Sequence, residues 1–211
     1  MHVDKIILRA TLTTVAVVLM LCAFMTLALC FVFPSTMMQL TYDVGMNAAS
    51  VKYAQRAYDY SGDVYYAAFA TEVAILDGNT EQIAHCGNQF ISDDEFQTYC
   101  DARNAEKPEF AQGKYEQYVY GQVYAAQYVM ATTDAEKSLV INKAFLSLET
   151  NTFPQGNAVA TVVIAANKKQ DGNTLCVIRE KMKEMEKDGF KDGLTAADAA
   201  RFEGVFALTN G

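Results

Sequence analysis

The chain has 211 residues, 51% hydrophobic and 20% charged, with a net charge of −8 and a mean hydropathy of +0.02. That length holds one membrane segment and one domain of ordinary size, and 3 Pro with 12 Gly exclude a collagen-like or linker-dominated chain. Five Cys are too few for a disulfide scaffold, and the 24 acidic against 15 basic residues beyond position 33 exclude nucleic-acid binding, which draws its general affinity from Lys and Arg on phosphates.

The first element is a membrane span. No charged residue lies between Ala10 and Tyr42, and the most apolar part runs over residues 10–33. About 20 apolar residues cross a bilayer as a helix. Twelve of these 24 are Leu, Val or Phe, which favour insertion by about 4–7 kcal/mol in total. Four Thr oppose it little, because a Thr hydroxyl bonds the helix backbone one turn earlier. The basic start and long apolar stretch, with no small-x-small site after it, predict an uncleaved signal anchor. Lys5 and Arg9 precede the span and the next base is Lys52. The positive-inside rule therefore puts residues 1–9 in the cytoplasm and the domain, 36–208, outside the cytoplasmic membrane. Its acidity predicts that the domain is held near the bilayer by the anchor without adhering to anionic lipid.

The remainder is read as all-α. Helices are expected near 46–60, 63–77, 79–91, 93–103, 113–131, 134–150, 156–169, 173–188 and 195–208, with longer loops at 104–112 and 150–155. The punctuation is regular: Ser61-Gly62-Asp63, Asp77-Gly78-Asn79, Ser92-Asp93-Asp94, Thr132-Thr133-Asp134, Asp171-Gly172-Asn173 and Gly193-Leu194-Thr195. Each joins a helix-stopping Gly or polar cluster to a residue able to cap the next helix. Leu175, Ile178, Met182 and Met185 form one apolar face opposite a run of charges, the pattern of a one-sided surface helix.

Residues for chemistry are few. His85-Cys86 is the one adjacent His–Cys pair, but neighbours on a helix diverge by about 100° and cannot act on each other. The only other His is His2, on the far side of the span, so a His-based triad has a single possible base, with nothing to order a partner for it, and no enzyme is expected. Cys86, Cys100 and Cys176 lack metal-ligand spacing, and Asp93-Asp94-Glu95 reads as the acidic opening of a helix, so no metal or cofactor is expected. Cys86 and Cys100 are 14 apart on neighbouring expected helices. Two separate buried thiols are the preferred reading; a Cys86–Cys100 disulfide is the alternative that export permits. All 12 Tyr lie between Tyr42 and Tyr128. Tyr120, Tyr124 and Tyr128 form an i, i+4, i+8 stripe that either packs between helices, the preferred reading, or lines a groove for a partner.

Gly45, Ala48 and Ala57 follow the small-residue spacing of a tetratricopeptide repeat, as do Ala131, Thr132, Ala135 and Ala144. Gly78 lies 33 residues after Gly45, close to the repeat period of about 34. Residues 36–190 thus resemble a degenerate tetratricopeptide-like domain. With AYDYSGDVYYAAFATEVAILDGN (57–79) and FPQGNAVATVVIAANKKQDGN (153–173), the plan also resembles uncharacterised bacterial membrane proteins with one N-terminal span. The resemblance implies an antiparallel stack of helix pairs whose concave face holds an unknown protein partner outside the membrane. The alternative is an extracytoplasmic domain sensing a small molecule or cell-wall ligand.

Overall fold

A computed structural model describes residues 2–106 and 114–210, with the side chains of 2–6 and Cys30 left aside. The described residues form eleven α-helices: α1 (His2–Val32), α2 (Pro34–Asp43), α3 (Asn47–Ser61), α4 (Val64–Asp77), α5 (Thr80–Ile91), α6 (Phe96–Glu106), α7 (Tyr115–Met130), α8 (Asp134–Leu146), α9 (Ala158–Lys168), α10 (Gly172–Lys187) and α11 (Ala196–Leu208). A 3-10 turn, Phe190–Gly193, joins the last two, and no strand occurs among the described residues.

Within α1, Ile7–Leu29 is long and apolar enough to cross a membrane, and the rest of the protein buries none of it. Thr11, Thr13, Thr14 and Thr26 each donate their hydroxyl to the carbonyl four residues earlier, at 2.8–3.0 Å. Each polar hydrogen is thereby satisfied within the helix, as an apolar surround requires.

The turn chemistry sets most helix ends. Gly62 and Gly78 end α3 and α4 with φ of 70° and 67°, a left-handed conformation that costs glycine little. Asp63, Asn79, Asn157, Asp171 and Thr195 then cap the helices that follow, each side chain accepting a backbone N–H of the first turn. Thr133 and Glu136 form a reciprocal capping box at the start of α8.

Three expectations are corrected. No helix was expected between the span and residue 46, yet α2 fills that interval. Pro34 occupies its first turn, where a missing N–H is not needed, so the proline begins a helix as well as ending one. Second, α6 begins at Phe96, because Asp93 is spent in a turn: it accepts the N–H of Glu95 at 2.9 Å and the hydroxyl of Tyr58 at 2.7 Å. Third, residues 104–106 are the last of α6, and α8 stops at Leu146. The rest of the expected 104–112 loop lies outside the described residues, whereas 150–155 is non-helical as expected.

Packing proceeds largely in chain order. α2 packs on α3, α3 on α4 and α4 on α5; beyond that, α5 meets α7 and α7 meets α9, while α6 and α8 lie against α7. One apolar cluster joins α2 through α5 around Met38, Val51, Val73 and Ile83. A larger one surrounds α7 and α9, with Phe90, Tyr128, Phe153, Val163, Met182 and Phe202 inside it.

Candidate functional site: a groove across α5, α7 and α9

The row α5–α7–α9 is drawn tight by two glycines. A Cβ on Gly87 would collide with the Val123 side chain, and one on Gly121 with the carbonyl oxygen of Gly156, so α7 lies close to α5 and to the start of α9. Small residues continue along the row: Ala125 and Ala126 on α7, Ala165 on α9. The outcome is an open groove of about 470 Å³. Its apolar wall includes Ile75, Ile83, Val129 and Ile164, and Lys168 and Lys169 stand at one end. The two lysines differ in role. Lys169 donates its ammonium to the carbonyl of Val129 at the end of α7 and lies 5.5 Å from the Tyr128 ring. It therefore caps the helix as a cation at a C-terminus should. Lys168 is exposed with no ion-pair partner among the described residues, so its charge is free to meet a carboxylate.

The tyrosine stripe lies on the other side of the same helix. At 3.6 residues per turn, the groove residues Gln122, Ala125, Ala126 and Val129 centre about 150° around α7 from Tyr120, Tyr124 and Tyr128. Tyr128 is fully buried, at 0% exposure, and its hydroxyl donates to Asp171 at 2.8 Å. Burial pushes its pKa up to about 12. Tyr124 is 7% exposed, so a half-exposed ring is not what the fold provides there. Tyr120 stacks on Tyr124 with centroids 5.7 Å apart and leans on Phe96 at 5.3 Å; burial raises its pKa to about 12. Only the edges of Tyr120 and Tyr124 reach a surface, a shallow depression of about 350 Å³ beside Lys143 and Leu146. The stripe is thus mostly packing, and Tyr128 has no surface with which to touch a partner.

Cys86 and Cys100 are both free and buried in this structure. The physical reason is that neighbouring helices turn the two thiols into different clusters. Cys86 faces α3, where Gln55 donates to its sulfur at 3.2 Å, and Cys100 faces the aromatic cluster around α7. Burial pushes the Cys86 thiol up to about 11 and raises that of Cys100 further, so neither is a thiolate near neutrality. His85 is exposed beside the buried Cys86.

A third concavity, about 300 Å³, holds Glu72 on α4, Arg103 on α6 and Tyr115 on α7. Glu72 accepts from Arg103 at 2.8 Å and from the Tyr115 hydroxyl at 2.6 Å. Asn104 completes the link, accepting the Tyr115 N–H at 2.7 Å and donating to Glu116 at 2.9 Å. These bonds latch α6 onto α4 and α7, and leave the buried Arg103 Nε without a hydrogen-bond partner. The sequence reading missed both the groove and the latch. Small residues at helical spacing look alike whether they admit a neighbour or a ligand, and Glu72 is 31 residues from its arginine. Among the described residues no three His, Cys, Asp or Glu side chains gather as metal ligands. Comparison with protein-family models, curated proteins and solved structures finds no match to this chain.

Proposed function

We propose that this protein is a membrane-anchored helical interaction module, with residues 10–33 as a single-pass anchor and the domain outside the cytoplasmic membrane of a bacterium. In this reading α5, α7 and α9 are the inner helices of a tetratricopeptide-like antiparallel stack, with α6, α8 and α10 outside them. A segment of a partner protein lies along the inner face. The groove across α5, α7 and α9 is the observation that carries this reading: it is open, mostly apolar with Thr80, Gln122 and Thr161 among its lining, and basic at one end. An amphipathic helix presenting apolar residues to Ile83 and Ile164 and a carboxylate to Lys168 has the matching chemistry. A small molecule is better held by an enclosed cavity that buries most of its surface, and this groove is open along one side.

The test places a photo-crosslinking residue at Ile164, 46% exposed in the groove, or at Val177, 45% exposed on α10 outside it. In native membranes the first position is expected to trap a discrete protein that the second does not, and Lys168→Glu should weaken that adduct. Identical products from both positions, or none from Ile164, would sink the groove as a docking surface.

A further inference from the structure

The membrane-proximal end of the domain carries an inference that rests on the reading of Ile7–Leu29 as a membrane span. At about 1.5 Å per residue, the stretch from Ala10, next after Arg9, to Leu29 measures ~30 Å, the thickness of the hydrocarbon core, so the last residues of the apolar 10–33 stretch enter the headgroup layer. Phe31 follows Leu29 by two residues, so it lies only ~3 Å beyond the span, inside a headgroup layer about 5–7 Å deep. The chain does not leave the membrane through a linker. Phe33 alone separates α1 from α2: its N–H bonds the Leu29 carbonyl at 3.1 Å to close α1, its carbonyl accepts the Met37 N–H at 3.2 Å to open α2, and its φ of −126° and ψ of 62° turn the chain between them. α2 then packs on α3. The domain is held hard against the bilayer, and α3 is the helix brought there.

What α3 presents at that level is cationic and aromatic. The Arg56 guanidinium lies 5.4 Å from the centre of the Phe31 ring and 5.7 Å from that of Tyr53. Arg56 is exposed and has no ion-pair partner among the described residues, the nearby Asp59 included. Lys52 and Tyr60 stand one turn to either side of it, and Tyr60 is 88% exposed. The opposite face of α3, with Val51, Ala54 and Ala57, is buried in the domain.

We propose that the Lys52–Arg56–Tyr60 face of α3 docks on the membrane surface, with Arg56 and Lys52 on phospholipid phosphates and Tyr60 in the interfacial layer. Stacking on Phe31 restrains the guanidinium while leaving its N–H edge free for a phosphate, which it matches bidentately. Tyr at the water–lipid boundary puts its ring against the acyl region and its hydroxyl in water. The acidity of the whole domain, which argued against lipid adhesion, does not oppose this contact. Most of that charge lies on helices beyond α3, and screening over about 8 Å at physiological salt weakens it at the bilayer.

The chain has no Trp, so Tyr60→Trp supplies a single indole in the full-length protein. Reconstituted in phosphatidylcholine–phosphatidylglycerol vesicles, it should lose roughly half or more of its emission to a nitroxide on the lipid headgroup, as an interfacial aromatic would. An indole placed by Leu146→Trp, on α8, should stay unquenched. Adding Arg56→Glu to Tyr60→Trp should relieve the quenching while the protein still floats with the vesicles. Flotation with an unquenched indole at position 60 would overturn the docking and leave the anchor standing, as would quenching indifferent to Arg56→Glu. Failure to float would overturn both.

Discussion

Asp171 shows how much one side chain holds together. Its carboxylate caps α10 through the N–H of Thr174 at 3.1 Å and accepts the hydroxyls of Thr174 at 3.0 Å and Tyr128 at 2.8 Å. It also accepts the Lys137 ammonium at 2.7 Å, so three helices meet on two oxygens. Lys137 is the largest cause holding its pKa well below the usual carboxylate range, with burial opposing. Asp171→Ala is expected to cost about 2–4 kcal/mol, since it removes a cap and strands the buried Tyr128 hydroxyl. Asp171→Asn keeps the cap and should cost less; thermal unfolding of the detergent-solubilised protein measures both. The sign with pH follows from the depressed pKa. The stabilisation is complete above the unfolded value of about 3.9 and declines as pH falls through the folded one. The gap between the native chain and Asp171→Asn should therefore be flat from pH 5 to 8 and narrow below about 4. The cysteines give a second test at this scale. Alkylation of the folded protein should spare Cys86 and Cys100 and modify the exposed Cys176, whereas denaturation without reductant should expose all three. A blocked pair after denaturation would restore the disulfide.

At the scale of elements, α7 organises the domain because its faces are committed to different neighbours. The tyrosine face is packing, the alanine face opens on the groove, and Gly121 lets the helix approach α9. A Cβ there would meet the Gly156 carbonyl oxygen and come 2.8 Å from Thr161 Oγ1. Backbone cannot swing aside as a side chain can. Gly121→Ala should accordingly cost about 1–3 kcal/mol and loosen the groove. Gly204→Ala on α11, where a Cβ meets open space, should be neutral or stabilising by up to about 1 kcal/mol. A melting temperature unchanged by Gly121→Ala would show that the close approach is unimportant.

For the whole molecule, the governing arrangement is a helix long and apolar enough to cross a membrane, joined to a helical domain through the single non-helical residue Phe33. The proposed orientation rests on Lys5 and Arg9 before the span and on no base until Lys52 after it. Protease added to intact spheroplasts should then digest the domain, and moving the charge imbalance by Lys5→Glu with Arg9→Glu should weaken that orientation. Full protection of the native domain would reverse the assignment.

The sequence alone carries the all-helical class, the long apolar helix and most helix limits. Those depend on local chemistry: uncharged length, Gly in left-handed caps, and Asp, Asn or Thr one residue before a first turn. It failed at Pro34 because a helix-stopping proline and a helix-starting one are the same residue, told apart only by what packs beyond them. Packing in three dimensions settles which face of α7 is core and which is groove, where Cys86 and Cys100 point, and that Arg56 meets Phe31. Those facts are contacts between residues 25 or more positions apart or on opposite faces of one helix. A periodic pattern shows that a helix has sides; its neighbours in space assign them.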